Sequence, residues 1–194
     1  MRLVLIFLCA AVFPSPVQAA RKVVVLDPGH GGMDAGAFYG GVREKKLTLI
    51  IAQRVETVLR SRGIRTAMTR RSDRFVSLAS RAAVANGYRS AVFVSIHCNA
   101  DPRRSARGIE TFYTGSAGYR LARNIHIRLG HRTTCPDRGI KRKSYAVLTR
   151  TRGAAALVEC GFLTCPVERR KLSTSSYQRV LAQAIADGII ASIR

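Results

Sequence analysis

Lys22-Val23-Val24-Val25-Leu26 is a β-branched, apolar run closed by Asp27-Pro28-Gly29 and followed by His30-Gly31-Gly32. A short apolar run bounded by turn formers reads as a buried strand feeding a loop, here a glycine-rich one that continues to Gly41. Beyond that loop the period changes. Leu47, Ile50, Ile51, Val55, Val58 and Leu59 recur at helical spacing, and Gly63 is placed to stop the helix. Residues 64–68 read as a second strand and 75–88 as a helix. Residues 91–96 (AVFVSI) form a third strand, so uniformly apolar that it belongs at the centre of a sheet. A strand at 108–114, a helix at 117–129, a turn at 135–139 and short strands at 145–148 and 154–158 follow. A last helix begins near Ser175, with Leu181, Ile185 and Ile189 on one face. Strands alternating with helices predict a single α/β domain whose sheet, of about six strands, is largely parallel.

The amino terminus reads differently. Arg2 precedes an apolar run from Leu3 to Phe13, then Pro14, Pro16 and the small-residue stretch Val17-Gln18-Ala19-Ala20. That order is the pattern of a secretory signal, and the run is too short for the roughly 20 residues that span a bilayer. The expectation is a signal peptide at 1–19, with cleavage after Ala19, and a catalytic domain at 20–194. The mature protein would be exported to the periplasm, cell wall or medium without a transmembrane anchor. Cys98, Cys135, Cys160 and Cys165 remain after cleavage. In an oxidising compartment they could form two disulfides in any of three pairings, or stay as buried thiols.

The chain carries 33 basic and 11 acidic residues, a formal charge of +22. Such a charge favours an anionic partner without naming it. Export makes nucleic acid an unexpected partner and leaves anionic cell-envelope polymers as the natural one. No internal repeat, linker or appended wall-binding module is legible, and a monomer is expected.

Four polar residues stand where chemistry is expected. His30 follows the first strand, His97 ends the third, Glu159 ends the strand at 154–158, and Glu44 opens the first long helix. Ligands of open α/β sheets bind outside the carboxyl ends of the strands. Glu44 joins that rim if the glycine-rich loop folds back over the sheet. Two imidazoles and one carboxylate match a catalytic zinc site with an open position for water, and the other carboxylate is then free to act as a base. Taken singly, each also has a plain reading: His97 as a core histidine, or Glu44 as a first-turn acid suited to the helix dipole.

Leu26-Asp27-Pro28-Gly29-His30-Gly31-Gly32, followed by Arg43-Glu44-Lys45, resembles the opening of the zinc-dependent N-acetylmuramoyl-L-alanine amidase catalytic domain of bacterial cell-separation enzymes and phage endolysins. Further segments are similar in order: Met68-Thr69-Arg70, Leu78-Ala79-Ser80-Arg81, Ser95-Ile96-His97-Cys98-Asn99, Gly108-Ile109-Glu110, Arg138-Gly139-Ile140, and Val158-Glu159-Cys160-Gly161-Phe162. The resemblance covers nearly all of residues 22–193. It implies a mixed sheet with helices on both faces, peptidoglycan as substrate, Zn2+ as cofactor, His30, Glu44 and His97 as metal ligands, and Glu159 as the catalytic residue. Cys160 and Cys165 stand where the family usually has Thr and Asn. The alternative is a non-catalytic peptidoglycan-binding protein that keeps the amidase fold. Between the strand at 108–114 and Glu159 the sequence predicts one ordinary helix and short connections, hence no second helix to cover the site.

Overall fold

The computed structural model describes residues 22–193; the expected signal peptide at 1–19 lies outside them. In chain order the elements are β1 (Val23–Pro28), the hairpin of β2 (Phe38–Tyr39) and β3 (Val42–Arg43), α1 (Glu44–Ser61), β4 (Thr66–Met68), α2 (Leu78–Asn86), β5 (Ala91–Asn99), β6 (Ile109–Tyr113), α3 (Gly115–Arg132), β7 (Asp137–Arg142), α4 (Ala146–Thr149), β8 (Ala154–Phe162), α5 (Pro166–Leu172) and α6 (Ser175–Ile193). Six strands form one sheet in the order β4-β1-β5-β8-β6-β7. Pairs β1/β4, β1/β5 and β5/β8 are parallel, as is β6/β7, whereas β6 runs antiparallel to β8. The expected single-domain α/β architecture, a mostly parallel mixed sheet, is therefore present.

Side chains alternate between the two faces of a sheet. Val24, Leu26, Val92, Val94, Ile96, Ala156 and Val158 point into a large core shared with α1, α3 and α6. Val23, Val25, Phe93, Ala155 and Leu157 point into a smaller one under α2 and α4. Fully burying a side chain such as Ile51, Ile125 or Ile185 contributes roughly 1.5–3 kcal/mol, so the large core supplies most of the stability. The smaller core covers only part of its face. Past it the same alternating set continues into polar residues: Asp27 on β1, Ser95 and His97 on β5, Glu159 on β8. That polar end is where the site lies.

Several boundaries differ from the sequence reading. Helix α1 stops as expected, with Gly63 at φ +71° in the left-handed region that glycine takes without strain. Helix α2 begins only at Leu78, where the Ser77 hydroxyl caps the Ser80 N–H at 3.1 Å. The segment expected as a turn near Asp137 is the edge strand β7. Its sequence, DRGIKR, has no apolar alternation because it pairs on one side only, and charge at an edge discourages further pairing. The segment expected as a strand at 145–148 forms α4 instead. Thr149 N–H donates to the Tyr145 carbonyl at 2.9 Å, and Val147 and Leu148 cap the smaller core. A four-residue apolar run does not tell strand from helix. The expectation of a single helix between β6 and the Glu159 strand is thus corrected: α4 is a second, short one. Helix α5, which opens with Pro166 at its first turn, was not expected either. All four cysteines among the described residues are free.

Candidate metal centre and its catalytic cleft

The glycine-rich loop does fold back. Asp34 N–H and Gly31 N–H exchange hydrogen bonds with each other's carbonyls, and the first helical N–H groups, of Glu44 and Lys45, donate to the carbonyls of Ala37 and Ala35. The start of α1 is thereby laid across the carboxyl ends of β1 and β5. Glu44 Oε2 accepts from the Ala37 N–H at 2.9 Å, and Oε1 is left facing the sheet. There it meets His97 Nδ1 at 3.0 Å, His30 Nε2 at 3.1 Å and the Cys98 N–H at 3.0 Å.

One potential ligand atom from each of His30, Glu44 and His97 lies within 4.8 Å of the others. Donors bound tetrahedrally at about 2.0–2.1 Å from zinc stand roughly 3.3 Å apart. The spacings of Glu44 Oε1 to the two rings are close to that, so these residues fit a small divalent ion with little movement. Glycine makes the approach possible. A Cβ on Gly29 would sit 2.2 Å from His97 Cε1, and one on Gly36 would sit 2.6 Å from both Glu44 Oε2 and His30 Cδ2.

The loop is held by buried charge. His30 has φ +60°, a conformation that strains a side-chain-bearing residue. Two arginines lock its backbone. Arg81 donates to the His30 carbonyl at 2.8 Å, to the Pro28 carbonyl at 2.7 Å and to Asp27 Oδ1 at 2.7 Å. Arg70, wholly buried, donates to the carbonyls of Pro28, Gly29 and Lys45 at 3.0, 2.9 and 2.8 Å. Asp27, equally buried, also accepts from Thr69 and Ser95. Asp34 accepts from His30 Nδ1 at 2.9 Å and so orients Nε2 toward Glu44, the arrangement usual behind a metal-binding imidazole.

The electrostatics suit the geometry. Burial works to lower the His30 pKa, but Glu44 and Asp34 outweigh it and raise it to about 8. Burial works to raise Glu44, yet hydrogen bonds from His30 and His97 hold it far below the usual carboxylate range. Glu159 behaves oppositely. Burial is the main cause, opposed by His97 and reinforced by Glu44 and Glu110, and its pKa rises to about 7. Its Oε2 is buried without a hydrogen-bond partner, an orphan that a water held at the triad would satisfy.

His30, His97, Asp34, Tyr145, Val147 and Glu159 line one cleft of about 520 Å³. The side chains of His30 and His97 remain 22% and 20% exposed while Glu44 is buried, and the start of α4 forms a wall of the cleft. A larger groove of about 670 Å³, beside Phe38, Arg43 and Lys46, contains none of these groups.

The sequence model for N-acetylmuramoyl-L-alanine amidase matches residues 24–191. The chain belongs to the N-acetylmuramoyl-L-alanine amidase family. Among relatives of this amidase-family chain, N-acetylmuramoyl-L-alanine amidase LytC of Bacillus subtilis is 35% identical over 177 residues, which cover 89% of this chain and 36% of LytC. YqiI of the same organism, an uncharacterised protein, is 36% identical over 172 residues, covering 87% of this chain and 83% of YqiI. The chain thus spans about a third of LytC and most of YqiI. Among solved structures, the catalytic domain of CwlV from Bacillus (Paenibacillus) polymyxa superposes with a TM-score of 0.85 at 36% identity, covering 88% of this chain and 97% of that one. AmiC2 of Nostoc punctiforme gives the same TM-score and identity, with 88% and 96% covered.

All four residues singled out in the sequence of this amidase-family chain are brought together. His97 and Glu159 lie inside their strands rather than at the ends, two and three residues before the terminal Asn99 and Phe162. The supporting groups were not found from sequence. Asp34, four residues past His30, was the only one with a local signal. Arg70, Arg81 and Asp27 look like surface charges until the sheet covers them. His126 is a buried histidine of another kind, satisfied by Thr111 and Asp137 away from the cleft.

Proposed function

We propose that this chain is a zinc-dependent peptidoglycan hydrolase that cleaves the amide between the lactyl group of N-acetylmuramic acid and the L-alanine of the stem peptide. One observation carries the reading. Three ligand-type atoms converge from His30, Glu44 and His97, and beside them stands a buried, unpartnered carboxylate oxygen of Glu159. Family membership directs that chemistry to the muramoyl–alanine bond.

His30 Nε2, Glu44 Oε1 and His97 Nδ1 would hold the ion. Zinc in such a three-ligand site supplies Lewis acidity, lowering the pKa of water toward about 7 and polarising a carbonyl. Asp34 keeps the His30 ring turned so that Nε2 faces inward. Glu159, with a pKa of about 7, is poised to accept a proton from the attacking water and deliver it to the alanine nitrogen as the C–N bond breaks. The carbonyl carbon gains the water oxygen, leaving a lactyl carboxylate and a peptide with a free amine. No covalent intermediate with the protein is needed.

Export fits this substrate. No helix among the described residues is long and apolar enough to cross a membrane. We assign residues 1–19 as a signal peptide on the Val17-x-Ala19 pattern. Amino-terminal sequencing of secreted material tests it, and a mature start at Met1 would overturn it.

The deciding experiment is metal analysis together with digestion of purified peptidoglycan. One zinc per chain and new alanine amino termini, lost on chelation and restored by zinc, are expected. Zinc and wall binding without new amino termini would favour the non-catalytic alternative.

A further inference from the structure

The polar row on the cleft face does not end at Glu159. Glu110 on β6 is registered directly opposite Glu159 on β8, and registered partners project from the same face about 4.5–5.5 Å apart. Like charges so placed repel, and Glu110 is only 4% exposed. Its carboxylate oxygens are taken up by polar neighbours. Glu110 Oε1 accepts from Lys141 Nζ, Oε2 accepts from Asn99 Nδ2 at 3.2 Å, and Arg138 Nε lies 3.9 Å from Oε2. Two cations, Lys141 and Arg138, thus stand on the side of Glu110 away from Glu159.

Lys141 is accessible. It keeps 44% of its side chain exposed, and an ammonium has three donors, of which Glu110 engages one. Lys141 stands two strands from Glu159 and does not itself line the cleft; the connection runs through Phe112. Phe112, the registered neighbour of Lys141, packs edge-on against the Tyr145 ring at 5.1 Å, and Tyr145 lines the cleft with Glu159. Burial raises the Tyr145 pKa, and the charges of Glu159 and Glu110 raise it further.

We propose that Lys141, held by Glu110 one strand beyond Glu159, binds a carboxylate of the substrate's peptide on the leaving side of the scissile amide. The inference rests on the amidase reading. The alanine nitrogen must lie at Glu159, and the next stem residue, an isoglutamyl unit, carries an α-carboxyl group that is either free or amidated. An extended chain advances about 3.3–3.6 Å per residue and strands lie about 4.8 Å apart, so that group comes within the reach of a lysine one to two strands away. A free carboxylate gains a charge-assisted hydrogen bond that a carboxamide does not. Lys141 is a specificity residue and takes no part in bond breaking.

The test uses zinc-loaded protein and two soluble substrates, N-acetylmuramoyl-L-alanyl-γ-D-glutamyl-L-alaninamide and its D-isoglutaminyl counterpart, in which the γ-carboxyl is blocked and only the α-group differs. The wild type should show a KM about ten-fold lower for the free acid, with similar kcat. Lys141→Met should bring the two KM values together, and Lys141→Arg should keep them apart. Calorimetry with the two released γ-blocked peptides should show the same preference and its loss. Thermal melting checks that each variant is folded. If the wild type cleaves both substrates with equal KM, or Lys141→Met impairs both equally, the carboxylate site is wrong and the amidase reading stands. If neither substrate nor intact peptidoglycan is cleaved, both fall.

Discussion

His97 and Glu159 are registered partners on the adjacent parallel strands β5 and β8. Neighbouring positions on one sheet face therefore present a candidate metal ligand and a candidate base, at a separation set by the backbone ladder and not by a flexible loop. Sites built on regular elements hold their geometry more tightly than sites on loops.

Replacing the candidate base should separate chemistry from metal binding. Glu159→Gln removes the proton acceptor and leaves His30, Glu44 and His97 in place. Hydrolysis of purified peptidoglycan should fall by about 10²–10⁴-fold, the usual contribution of general acid–base catalysis. Zinc measured by atomic absorption should stay at the wild-type ratio, and loss of metal would show that Glu159 is itself a ligand.

Asp34 should act through His30. Asp34→Asn weakens the acceptor that fixes the His30 ring, so zinc affinity should drop roughly 10–100-fold. Competition with a chromogenic chelator reads this directly. Activity at saturating zinc should recover much of the loss, and unchanged affinity would count against an orienting role.

The Asp27–Arg81 pair should matter for stability more than a surface pair would. Both groups are almost fully buried, and Arg81→Met leaves the Asp27 carboxylate without its cation. Breaking such a pair costs about 3–5 kcal/mol. Denaturant unfolding should show it as a lower midpoint, with part restored in the Asp27→Asn/Arg81→Met double variant, where no charge is stranded.

Acid sensitivity should appear at Glu56. Hydrogen bonds from Arg71, opposed by burial and aided by Thr66, lower its pKa in the folded state. A depressed folded pKa contributes stability above the unfolded value, about 4.3, and loses it as pH falls through the folded value. Glu56→Gln should therefore unfold earlier than wild type at pH 7, and the gap should close progressively below about pH 4.3. A gap that persists to pH 2 would exclude this ion pair as its cause.

Wall attachment should be electrostatic. With a formal charge of +22, binding to anionic walls is screened over about 8 Å at physiological salt. Co-sedimentation of Glu159→Gln with purified walls should weaken steeply between 0.05 and 0.5 M salt, values chosen to span a roughly three-fold change in Debye length. Salt-insensitive sedimentation would point to specific glycan contacts instead.

Much of this was legible in sequence because it depends on local pattern. Alternation and helical period located β1, β5, α1, α3 and α6, and the polar residues closing apolar runs marked His30, His97 and Glu159. A hydrophobic strand must be buried, and whatever polar group interrupts it is conspicuous. The edge strand β7 and the helical turn α4 carried no such pattern, since one is half-paired and charged and the other is too short to show a period. For Glu44 the residues alone set only a condition, and the family resemblance named it as a ligand; the tertiary structure meets that condition by folding the glycine-rich loop and α1 across the sheet, which sets Glu44 Oε1 against His30 and His97. It alone turned Asp27, Arg70 and Arg81 from ordinary charges into a buried lattice under His30, and set Glu110 with Lys141 beside Glu159. These are contacts between residues as much as 68 positions apart in the chain. Burial and pairing at that range are properties of the assembled sheet: the same side chain is a solvated charge or a structural clamp according to what the distant strands lay over it.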